Sequence, residues 1–142
     1  MTGSRIRRTA RRQVEEIERT GTTAGVTIKN SAIVLLSYRG ALSGQLHKTP
    51  IMRVEFQGSY AAIASLGGAP TNPHWFQGLV RHPEVWVQDA TEIGRYDARQ
   101  VFDDERTIWW ERGVAAYPDY ADYQRHTDRL IPVLVLSPSE MR

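Results

Sequence analysis

SAIVLLSYRGALSGQLHKTPIMRVEFQGSYAAIAS, residues 31–65, decides the fold. SAIVLLSY is a continuous apolar run rich in branched residues, which reads as a buried strand. RGALSG is a turn. In PIMRVEFQG, residues Pro50, Met52, Val54 and Phe56 alternate with Ile51, Arg53 and Glu55, which predicts one strand with one face inward. Gln57-Gly58 is a hairpin signal leading into SYAAIAS, a third strand. Consecutive hairpins argue for an antiparallel sheet.

Working outward, residues 4–20 predict a helix. Ile6, Ala10, Val14 and Ile17 fall on one face, Ser4 is a candidate start cap and Gly21 the stop. Downstream, LGGAPTNP is a loop rich in glycine and proline. HWFQGLVRHP is a short helix with Trp75, Phe76, Leu79 and Val80 at helical spacing. EVWVQD and TEIGRYDARQV are two more strands. DDERTIWWERGVAAY is a helix with acids in its first turn, Pro118 restarts another helix, and IPVLVLSP closes as an apolar strand. Trp109 and Trp110 lie mid-helix, so at least one should pack on the sheet. Such a sheet has edges to hide, and closure hides them. The expected architecture is α+β: a six-stranded, mostly antiparallel split β-barrel at residues 23–142, with flanking helices and a basic amphipathic helix at 1–22.

The 142 residues suffice for a core without staples. The absence of cysteine removes disulfides and thiolate chemistry, and fits a cytoplasmic protein. A net charge of +2 is too small to imply nucleic-acid binding. No apolar run approaches the ~20 residues of a membrane span. Five arginines fall in the first twelve residues without an acid. They read as a solvated helix face or as a peripheral contact with anionic lipid or with an anionic ligand tail.

No dinucleotide turn, Walker loop or nucleophile elbow occurs. The four histidines show no metal-ligand spacing, so no metal site is expected. The turn at 40–49 is more suggestive. Gly40 and Gly44 permit close backbone approach, Ser43 and Thr49 bring hydroxyls, and Lys48 brings an ammonium. The plain alternative is a hairpin loop with a solvent-facing lysine.

Taken jointly, KTPIMRVE, ASLGGAP, NPHWF, YDARQVFDDERTIWWERGVAAYPDYADYQRHTDR and IPVLVL resemble the deazaflavin-dependent nitroreductase family, the F420H2-dependent quinone reductase-like proteins of actinobacteria. The resemblance runs from about residue 12 to residue 138. It implies a split barrel like that of flavin-binding pyridoxamine-phosphate-oxidase relatives, with coenzyme F420 in place of FMN. It also implies hydride transfer to a small-molecule acceptor: a quinone, nitroaromatic or activated enone. The family's cofactor turn maps onto Leu42, Ser43, His47, Lys48, Thr49 and Pro50, followed by Ile51 and Met52. Leu42 stands where lysine is usual and His47 where arginine is usual. A charge-assisted phosphate contact is worth about 1.5–3 kcal/mol, so the two changes weaken the turn. The resemblance further implies that Ile63, Ala64, Ser65 and Leu66 offer backbone groups to the deazaflavin ring. It brings His74, Trp75 and Phe76 to the same cavity, although core packing also explains the last two. Tyr117, Tyr120 and Tyr123 would roof the substrate pocket.

Catalysis then asks for a hydrogen-bond donor to the oxyanion formed on the acceptor. Tyr120 is the candidate, helped by Ser65 or Tyr123. The competing expectation is a non-catalytic module holding a lipid or other apolar ligand, with Leu42 and Leu66 greasing its mouth. Monomer and homodimer both remain open.

Overall fold

The computed structural model describes residues 3–139, with side chains from residue 9 onward. The elements are α1 (Gly3–Thr20), β1 (Thr27–Ile28), β2 (Ser31–Arg39), β3 (Leu46–Met52), β4 (Glu55–Phe56), β5 (Ser59–Ile63), a 3-10 turn (Leu66–Gly68), α2 (His74–Arg81), β6 (Glu84–Asp89), β7 (Glu92–Val101), α3 (Asp103–Ala116), α4 (Asp119–Arg125) and β8 (Val133–Pro138). This is the expected order with two two-residue strands and the 3-10 turn added. The roles anticipated for Ser4, Ile6 and the arginines at 5, 7 and 8 lie outside the described side chains.

Every strand pairing is antiparallel. The path is β1-β2-β6-β7-β8-β5-β4, with β3 also paired to β2. Six strands of five residues or more carry the curl. The two ends meet where the Ala61 N–H donates to the Val54 carbonyl at 2.9 Å. No ladder joins β3 to β5 along the rest of that seam, so the barrel is split.

Both faces of this sheet are covered, which explains the unbroken apolar run of β2. Val34, Leu36 and Tyr38 enter the barrel interior, where Trp75, Phe76 and Leu79 of α2 plug it. Ile33 and Leu35 face the opposite way, into an outer layer with Ile17 of α1, Trp109 of α3 and Tyr120 of α4. Glycine permits the plug: a Cβ on Gly78 would lie 2.5 Å from the Arg39 carbonyl oxygen.

The two-sided burial also corrects the reading of residues 50–58. The segment is two strands, not one. Pairing begins at Leu46 opposite Arg39, and the strand stops before Arg53, whose Nε donates to Asp89 Oδ2 at 2.8 Å. Ile51 and Met52 are both buried, one in each layer, whereas Phe56 is exposed. Alternation therefore separates two cores here and does not separate core from water. The Gln57-Gly58 hairpin forms as expected, with φ of +53° and +84°.

Candidate functional site

The β2–β3 turn folds tightly on itself. The Gly40 N–H donates to the Gln45 carbonyl and the Gly44 N–H to the Gly40 carbonyl, both at 2.9 Å. Ser43 Oγ accepts the Gln45 N–H at 3.1 Å. A Cβ on Gly40 would stand 2.9 Å from Ser43 Oγ and 3.1 Å from His47 Nε2, so a side chain there would displace both groups from over the turn. Leu42, at the tip, is 95% exposed.

Strand alternation then divides the candidates. His47, Thr49 and Ile51 stand on the face of β3 that turns inward; His47 stacks on Tyr38 with ring centroids 5.6 Å apart. Lys48, Pro50 and Met52 stand on the outer face. Lys48 Nζ donates to Glu18 Oε2 of α1 at 3.0 Å. His47 and Lys48 thus project from opposite faces of one strand and do not converge. Met52 belongs to the same buried layer as Tyr117 and Tyr120, so the outer set is continuous with the tyrosines. Trp75 and Phe76 pack in the barrel interior, apart from the tyrosine layer, and His74 is exposed at the start of α2.

Tyr117 ends α3, and Tyr120 and Tyr123 follow on α4. The Tyr117 and Tyr123 hydroxyls share a 2.9 Å hydrogen bond. The Tyr120 ring meets both edge-on, at 5.1 and 6.3 Å. Lys29 reaches this cluster from the β1–β2 turn, pairing with Asp119 at 2.9 Å and lying 6.0 Å above the Tyr123 ring. Tyr120 is 4% exposed. Burial pushes its phenol well above the ordinary tyrosine value, and the Tyr123 phenol adds to the shift. Its hydroxyl has no hydrogen-bond partner among the described residues, and neither has the Ser65 hydroxyl. Neither oxygen is sealed from solvent.

The loop from Ala64 to Asn72 brings backbone groups to this region. Leu66, Gly67 and Gly68 all have positive φ. A Cβ on Gly68 would meet the Tyr123 carbonyl oxygen at 3.0 Å, so the loop lies directly on α4. The Ala64 N–H is spent on the Pro132 carbonyl and the Ser65 N–H on the Ile63 carbonyl. The amides of Leu66 and Gly67 have no acceptor among the described residues. Arg129, a residue the sequence reading assigned no role, holds the loop from behind. The only sign of it was its place in the HTDR end of a quoted word.

The residues present fit an elongated cofactor with an anionic tail and a polar-edged ring. A lysine stands on the outer face of β3, amides without an acceptor among the described residues lie in the loop against α4, and hydroxyls without a partner among those residues sit by the apolar layer of Met52, Tyr117 and Tyr120. Among the described residues no cluster of histidine, aspartate and glutamate could hold a metal ion. An open hollow of 510 Å³ between α1 and the 20–27 segment, lined by Arg12, Gln13 and Glu16 among others, contains none of the candidate residues.

The barrel superposes on a pyridoxinephosphate oxidase family protein from Clostridium acetobutylicum at 13% identity, covering 89% of this chain and 82% of the other, with a TM-score of 0.51. That likeness places the fold in the split-barrel class. Two nearer structures go further. An F420-H2 dependent reductase is 45% identical over 74% of this chain and 93% of its own, with a TM-score of 0.71. A chain described as a domain-swapped dimer is 44% identical over 89% and 96%, with a TM-score of 0.74. A Mycobacterium tuberculosis relative carrying the F420H(2)-dependent quinone reductase name is 31% identical over 105 residues, 74% of this chain and 88% of the relative. Residues 9–138 match the family described as F420H(2)-dependent quinone reductase, and the chain belongs to that family. It is therefore an oxidoreductase, and its cofactor is F420.

Proposed function

We propose that the outer groove from Lys48 past Met52 to the tyrosine layer binds F420, and that Tyr120 is the hydrogen-bond donor to the acceptor, a quinone, nitroaromatic or activated enone. Reduced F420, when bound, supplies the hydride. Lys48 meets the anionic end of the cofactor after exchanging its Glu18 partner. The Leu66 and Gly67 amides, which have no acceptor among the described residues, would hold an electron-rich edge of the bound cofactor. Tyr117, Tyr120 and Tyr123 bury the acceptor's apolar surface and exclude water. The Tyr120 hydroxyl steadies the negative charge that develops on the acceptor oxygen, Ser65 is the second donor, and solvent delivers the proton.

The observation that carries this reading is the Tyr120 hydroxyl, which has no partner among the described residues and reaches solvent from an otherwise buried ring. A donor left unspent by the protein and open to a ligand suits catalysis. Tyr120→Phe removes the hydroxyl and keeps the ring. The expected outcome is a kcat with reduced F420 and a soluble quinone lowered about 100-fold, while the F420 dissociation constant stays within about twofold. An unchanged kcat would refute the role. The domain-swapped relative supports a homodimer for this chain as well.

A further inference from the structure

We infer that Arg129 is a positioning residue that locks the Ala64–Asn72 loop to the tyrosine helix and thereby sets the groove's affinity for the deazaflavin. The inference rests on the reading of the groove just given. The guanidinium makes four hydrogen bonds to the loop. Nε donates to the Ala69 carbonyl at 2.8 Å, Nη1 to the Ala64 carbonyl at 3.1 Å and to Asn72 Oδ1 at 2.6 Å, and Nη2 to the Ser65 carbonyl at 2.7 Å. Every acceptor is neutral, and no carboxylate pairs with Arg129 among the described residues. A half-buried cation held only by carbonyls is a costly way to fill space. It suits a task that needs a planar fork of donors at fixed angles.

That task is visible in the loop backbone. Ser65 is right-handed at φ −80° and ψ −40°, and Leu66 is left-handed at φ +46°. A right-handed residue followed by a left-handed one makes successive N–H groups converge on an electron-rich ligand atom. A leucine in that region is uncommon and persists only when its surroundings enforce it. Arg129 enforces it by binding the carbonyls on either side, at Ala64, Ser65 and Ala69. The Leu66 and Gly67 amides are left without an acceptor.

The other end of Arg129 is tied to α4. Its own carbonyl accepts Gln124 Nε2 at 2.8 Å, and Gln124 Oε1 accepts the Ile131 N–H at 3.0 Å. Arg106 Nη2 braces the Ile131 carbonyl at 2.7 Å. Gln124 is the residue after Tyr123, whose backbone carries Gly68. The 64–72 loop and α4 are thus tied to each other through Arg129.

The test uses the full chain with Arg129→Lys, which keeps the charge and loses the fork, and Asn72→Ala, which removes one of the four acceptors at an exposed position. Oxidised F420 is titrated by fluorescence, amide hydrogen exchange is followed across residues 64–72 without ligand, and folding is checked by the thermal midpoint. Arg129→Lys is expected to weaken F420 binding about tenfold or more, with faster exchange at Leu66 and Gly67, and Asn72→Ala to weaken it by a few fold. A folded Arg129→Lys with wild-type affinity and wild-type exchange overturns the inference. So does a lowered thermal midpoint with affinity unchanged, which is the mark of a merely structural role. If the wild-type chain fails to bind F420, the groove reading falls, and the exchange data still decide whether Arg129 holds the loop.

Discussion

Tyr120 shows how one side chain is set by its surroundings. Burial and the neighbouring Tyr123 phenol raise its pKa above the ordinary value of about 10. A group whose folded pKa is raised contributes stability that is complete below the unfolded value and is lost as pH climbs through the folded one. Resistance to urea should therefore fall above about pH 10, and fall less in Tyr120→Phe. Over the neutral range Tyr120 stays protonated and remains a donor. The kcat profile should accordingly show no alkaline limb from this residue below about pH 10; a limb near 8 that disappears in Tyr120→Phe would contradict the assignment. The sequence showed three tyrosines at a spacing of three. It could not show that two of their hydroxyls bond each other and leave the third unpaired.

At the scale of elements, α1 and α2 meet the barrel by different means. α2 plugs the interior through a glycine contact with the backbone of β2. Gly78→Ala gains up to about 1 kcal/mol of helix propensity, yet pushes a methyl against a carbonyl that cannot yield. A net loss of about 1–2 kcal/mol in urea denaturation is expected; a neutral or stabilised variant would mean that the plug has room. α1 anchors Ile17 in the outer layer and lays Glu18 on Lys48. Both members of that pair are exposed by about a third or more, so Glu18→Gln should change stability by less than about 0.5 kcal/mol. By freeing Lys48 for an anion it should tighten F420 binding by up to about fivefold; weaker binding would show that Lys48 does not meet the cofactor. The helix was legible from its apolar spacing. Its partner was not, because Glu18 and Lys48 are thirty positions apart and meet only when α1 crosses β3.

At the scale of the whole molecule, the homodimer is the open physical question. Light scattering on the eluting protein should read twice the 16.1 kDa chain mass; a mass of one chain at all accessible concentrations would exclude it. The sequence by itself determined the element order, the antiparallel barrel, the family and therefore the cofactor. Those follow from local periodicity, turn residues and shared words, and each is written within a few consecutive residues. Which side of β3 each candidate occupies, which loop amides remain free and which arginine holds them were decided only by the tertiary structure. Such relations join residues as distant as Ala64 and Arg129, and no local pattern encodes a contact that exists only after the barrel has curled and both its faces have been covered.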